Sequence, residues 1–165
     1  MSSSRRRWLD ACPLFQDLTK DGEALDDLAQ SCEEQRAAGG SVIIAEGTEG
    51  DAMYVICSGR VRVEKRTLYD DAYTVTALAG SDHGFFGELA LLDRERRSAS
   101  VVAENDCEFV VVSRERFQAW GDRHPLAGLM ATRRIAQYLA GRLRRANADI
   151  GTLFSALVEE MEQRL

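Results

Sequence analysis

Residues 85–101 read FFGELALLDRERRSASV, and their types and order suit the capture of a small anion. Gly87 has no side chain, so a ligand can approach the backbone there. The ELALL that follows is rich in helix formers and can make one helical turn, whose leading N–H groups face an anion. Arg97 offers a fixed planar fork that matches two phosphate oxygens. Ser98 and Ser100 add short hydroxyl donors beside it. Glu88 is an odd neighbour for a phosphate unless it accepts a hydrogen bond from a sugar hydroxyl. Together these residues fit one phosphate plus one ribose. A solvated charge run explains the charges at 94–97 but not their order.

Other chemistries find little support. The two histidines, His83 and His124, are far apart, so a multi-histidine metal site cannot be assembled. Cys12, Cys32, Cys57 and Cys107 form no CxxC pair, which suits reduced, mostly buried thiols and a cytoplasmic protein. No GxxxxGK[ST], HExxH or GxSxG occurs, and no nucleophile or general base stands beside the anion site. No enzyme, metal or cofactor is expected. Phe117 and Trp120 read as core anchors.

The 165 residues, 45% of them hydrophobic, suffice for one folded core plus an extension. A net charge of -6 argues against broad nucleic-acid binding. Leu18, Leu25, Leu28, Ala29 and Cys32 fall at helical spacing, so the sequence predicts a helix over 19–35, ended by Gly39-Gly40. Short runs then follow between glycines: SVIIAEG, AMYVICSG, RVRVEK, YTVTALAG, SASVVA and CEFVVVS. They predict a β-barrel or jelly roll. From Arg114 the pattern is helical. RERFQAW makes a short helix, and Pro125 suits the first turn of a second, which keeps its period to Leu165. If continuous, that helix is about 60 Å long. Its stripe of Ile135, Leu139, Leu143, Ala146, Ile150, Leu153, Leu157 and Met161 calls for a partner helix, most simply that of a second chain. The expected organisation is α+β: a helical segment at 1–38, a β-roll at 39–113, and C-terminal helices at 114–165.

The stretch FGELALLDRERRSAS resembles the phosphate-binding cassette of the cyclic-nucleotide-binding domain family, of the catabolite-activator and protein-kinase-A regulatory type. PLFQDL at 13–18 and IIAEGTEGDAMYVICSGRVRV at 43–63 extend the likeness. The resemblance covers roughly residues 10–145. It implies that Glu88 bonds the ribose 2′-hydroxyl and that Arg97 and Ser98 hold the cyclic phosphate. Phe86, Gly87, Leu89 and Ala90 line the cradle, and Ser100 lies near the base. It also implies base contacts from Ala146 and Asn147 on the long helix. Asn147 both donates and accepts, so it suits an adenine edge. Arg96 stands where the family usually has proline, which should loosen the turn before Arg97.

The expected protein is a stand-alone sensor of cyclic AMP, or less readily cyclic GMP. It is dimeric through its long helix and signals to an effector protein by a ligand-coupled helix rearrangement. Direct DNA binding is not expected, because no helix pair follows the long helix. The alternatives are a relative of transcription regulators without the DNA-binding part, and an interaction module that binds no nucleotide.

Overall fold

The computed structural model describes residues 2–18, 22–69 and 71–163. Among these described residues, eight strands form two antiparallel sheets. One contains β1 (Glu33–Ala37), β8 (Cys107–Ser113), β3 (Ala52–Ser58) and β6 (Phe85–Phe86) in that spatial order. The other contains β2 (Val42–Ile44), β7 (Ser100–Ala103), β4 (Arg60–Arg66) and β5 (Ala72–Ala79). The fold is therefore an α+β jelly-roll sandwich and not a closed barrel, because each sheet keeps two outer strands. Ile44, Ile56, Val61, Phe86, Val101, Ala103, Cys107 and Phe109 form a buried cluster in this roll. At the start of β4, Arg60 is exposed and Val61 is buried. Phe86 stacks on Tyr54 at 5.0 Å and meets Phe109 edge-on at 5.7 Å.

The N-terminal half departs from the sequence expectation in one place. The helix predicted over 19–35 is shorter: α2 spans Gly22–Ser31, and residues 33–37 are β1. Residues 19–21 lie outside those described. The apolar spacing itself holds, since Leu25, Leu28, Ala29 and Cys32 are buried. EEQRA carries no apolar alternation to announce a strand. Its strand form comes from pairing along β8, where Arg36 lies opposite Glu108 and bonds it at 2.8 Å. Gly39-Gly40 therefore follows a strand, not a helix.

Helices α1 (Ser2–Ala11), α2 and α3 (Arg114–Arg123) complete the first compact unit, which extends to Ala131. Trp120 is fully buried, touches Phe15 and Phe117, and donates its indole N–H to the Ala24 carbonyl at 2.7 Å. That bond satisfies the ring's one polar group inside the helical layer. On its rim, Asp27 Oδ2 accepts from Arg123 Nε at 3.0 Å and lies 2.9 Å from His124 Nε2. Burial alone would raise the Asp27 pKa, but the bonds and charges of Arg123 and His124 outweigh it and hold the carboxyl below its ordinary value. A depressed carboxyl stabilises the fold above its unfolded pKa of about 3.9, and that stabilisation is lost as pH falls through the folded value. Asp27→Asn should therefore lower the melting temperature at neutral pH. The gap to wild type should close as pH falls below about 4.

The second unit, Thr132–Leu165, consists of the remainder of α4 (Pro125–Gln163), which runs unbroken past Gly141 and Gly151. Ile135 is buried, so the expected stripe is not exposed along its whole length. Leu143, Ile150, Leu153, Phe154, Leu157 and Met161 are exposed. All four cysteines are free; Cys12, Cys32 and Cys107 are buried and Cys57 is partly so. No helix among the described residues is long and apolar enough to cross a membrane.

Candidate anion and sugar site

The cassette starts where β6 ends. Gly87 has φ +80° in the left-handed region, which turns the chain out of the sheet. A Cβ there would lie 2.9 Å from both the Ala52 carbonyl oxygen and Arg97 Nη1. Glycine is thus required twice, for its torsion and for room. Glu88–Leu91 then forms the expected turn, of 3-10 type, with Ala90 donating to the Gly87 carbonyl at 3.1 Å. Glu88 is 3% exposed and is the one charged residue in the buried set among the described residues. A buried carboxylate has to be matched by donors.

Arg97 comes from the irregular strap at 93–99 that leads into β7. Its Nη2 donates to the Ala52 carbonyl at 2.8 Å and its Nη1 reaches the Gly87 carbonyl at 3.4 Å. No ion pair with a carboxylate is found for it among the described residues. Burial, the largest influence, lowers its pKa, opposed by the charges of Tyr54, Asp51 and Glu88 and aided by Arg114. A guanidinium stays charged in a protein. Arg97 is thus a half-buried cation whose described hydrogen-bond partners are carbonyls.

The other expected residues sort by position. Ser98 is exposed on the strap next to Arg97. Ser100 opens β7, and its hydroxyl accepts the Glu46 N–H at 2.9 Å, so it braces the chain just after β2. Leu89 and Ala90 lie in the cassette turn. Phe86 lends its ring to the core, leaving its backbone as the part that borders the site. Asn147 is exposed on α4 in the helical unit. Among the described residues no cluster of His, Cys, Asp or Glu suits a metal ion.

Two residues in this region escaped the sequence reading. Arg114, first in α3, donates its N–H to the Asp51 carbonyl at 2.6 Å, its Nε to Ala90 O at 2.6 Å, and its Nη2 to Gly50 O at 3.2 Å. It ties the cassette turn and the loop before β3 to the start of α3. A signal existed: a cation in the first helical turn opposes the helix dipole, so it needs a separate reason to be there. Ser113 caps that helix by accepting the Arg116 N–H at 3.3 Å. Gly50 is the second residue, since any Cβ on it would collide with the Arg97 guanidinium.

Residues 34–124, which contain this site, match the family model described as the cyclic nucleotide-binding domain. The chain belongs to that family. The domain is 35% identical over 142 residues to the cyclic AMP receptor protein of Thermus thermophilus, covering 86% of this chain and 62% of that protein. It is 34% identical over 143 residues to glutaminase 1 of Bradyrhizobium diazoefficiens, covering 87% of this chain and 22% of that protein. The chain thus spans less than two thirds of the length of these curated relatives. Among solved structures, the catabolite activator protein of Thermus thermophilus superposes with a TM-score of 0.74 at 32% identity, over 86% of this chain and 62% of that one.

Proposed function

We propose that the domain is a sensor that binds cyclic AMP in preference to cyclic GMP and regulates a partner protein without catalysing a reaction. The observation that carries this reading is the half-buried Arg97, a cation whose partners are carbonyls, close enough to the buried Glu88 to feel its charge. Arg97 and Ser98 take the cyclic phosphate, and the backbone at Phe86, Gly87, Leu89 and Ala90 lines the cradle. Glu88 accepts the ribose 2′-hydroxyl. Ser100 and Asn147 are assigned to the base, and the name of the Thermus receptor protein supports adenine.

Binding acts by linkage: the ligand shifts the helices only by as much as its affinity differs between their arrangements. The N-terminal helices up to Ser31, the nucleotide-binding roll from β1 to Ser113 and the output helices from Arg114 onward each have a place in that scheme. The output is read in the cytoplasm by an effector protein, without direct contact with DNA.

The ribose assignment is tested by competition among cyclic AMP, cyclic GMP and 2′-deoxy cyclic AMP. Removing the hydroxyl leaves a buried carboxylate short of a partner, so the deoxy compound should bind roughly 10- to 100-fold more weakly. Glu88→Gln should shrink that gap. Equal binding of the deoxy and parent compounds would remove Glu88 from the site.

Exposed Leu153, Phe154, Leu157 and Met161 on α4 support a homodimer through that helix, since apolar patches of this kind mark interaction sites. Light scattering should give about twice the mass of one chain. Leu153→Asp with Leu157→Asp should reduce it to one chain, whereas a wild type that stays monomeric at tens of micromolar rejects the dimer.

A further inference from the structure

The strap that carries Arg97 was expected to be loose, because Arg96 occupies the position before it. The structure shows the strap laced to the loop between β2 and β3. Gly47 donates its N–H to the Arg97 carbonyl at 2.8 Å, and the Arg97 N–H returns a bond to the Thr48 carbonyl at 2.8 Å. Arg96 adds a third bond, from its Nη1 to the Gly47 carbonyl at 2.8 Å. The loop it grips is itself stiff. Thr48 closes a turn on the Ala45 carbonyl with its N–H at 3.2 Å and its hydroxyl at 2.6 Å. Gly47 sits at the third position of that turn with φ +79°, a conformation that glycine adopts without strain. The Glu46 N–H is fixed by Ser100 on the far side of the strap.

We infer that Arg96 is a positioning residue for the anion site: its bond to the Gly47 carbonyl fixes the strap at the residue before Arg97 and so aims the Arg97 guanidinium. This inference rests on the proposed role of Arg97 and names what orients it. Two backbone bonds hold Arg97 at a single level of the strap and leave the chain free to twist about them. A side-chain bond from the preceding residue removes that freedom. Proline at 96 would do the same by fixing φ, and no described hydrogen bond of the Arg96 N–H would be lost. The positive charge of Arg96 is therefore incidental, and its role is to hold the chain.

The test compares Arg96→Ala with Arg96→Pro in the full chain, using cyclic AMP as the probe and hydrogen exchange as a reading that needs no ligand. Arg96→Ala should weaken binding roughly three- to tenfold. It should also speed exchange of the Gly47 and Arg97 amides. Arg96→Pro should bind within about twofold of wild type and keep both amides protected. A loss in Arg96→Pro equal to that in Arg96→Ala overturns the inference, because charge would then be the property that counts. Unchanged exchange of both amides in Arg96→Ala overturns it too. A wild type that binds no cyclic nucleotide removes the proposed function, and the exchange comparison then decides the Arg96 question alone.

Discussion

Arg97→Ala is expected to weaken cyclic AMP binding roughly 30- to 1000-fold, the loss of charge-assisted bonds to a phosphate held out of water. The ligand-free protein should suffer far less. Arg97 donates to the Ala52 and Gly87 carbonyls, and the loss of these bonds costs about 1 kcal/mol and a few degrees of melting temperature. Arg94 is exposed three residues earlier on the same strap. Arg94→Ala should change affinity by less than about twofold, and it separates the cassette arginine from the general positive charge of the strap. Equal affinity of wild type and Arg97→Ala in equilibrium titration would take the phosphate away from this residue.

The second large effect is expected at a residue that touches no ligand. Gly50→Ala places a methyl group where the Arg97 guanidinium lies. The guanidinium is the mobile end of a long side chain, so the fold yields by moving it, at no more than the modest cost of losing its two carbonyl bonds. Gly50 also lies outside the left-handed region, so alanine brings no backbone strain. Binding should nonetheless fall roughly 10- to 100-fold, because a displaced fork loses its geometry with the phosphate. The double variant Gly50→Ala/Arg97→Ala should bind no more weakly than Arg97→Ala, since both act through one side chain. Additive losses in calorimetric titrations of the four proteins would show that Gly50 acts by another route.

The contrast between Arg97 and Gly50 marks what the sequence displays and what it hides. Arg97, Glu88 and Gly87 are legible because they stand within a few positions of one another, in an order that a solvated charge run does not explain. The strands β3, β4, β7 and β8 are legible because each carries its own apolar pattern. β1 is not, because EEQRA takes its form from β8, which lies seventy or more residues away in the chain. Arg114 and Gly50 hide for a similar reason. Their importance lies in carbonyls and a guanidinium supplied by other elements; the place of Arg114 in a first helical turn marks it as unusual, but not what it holds. The choice between barrel and sandwich depends likewise on which strands stay at the edges, which is a property of pairing and not of composition.

Titration calorimetry of cyclic AMP and cyclic GMP into the wild-type chain tests the central claim most directly. The account predicts saturable binding of one nucleotide per chain, tighter for cyclic AMP, and abolished or strongly weakened in Arg97→Ala. Absence of binding by both nucleotides, or binding that survives unchanged in Arg97→Ala, would contradict it.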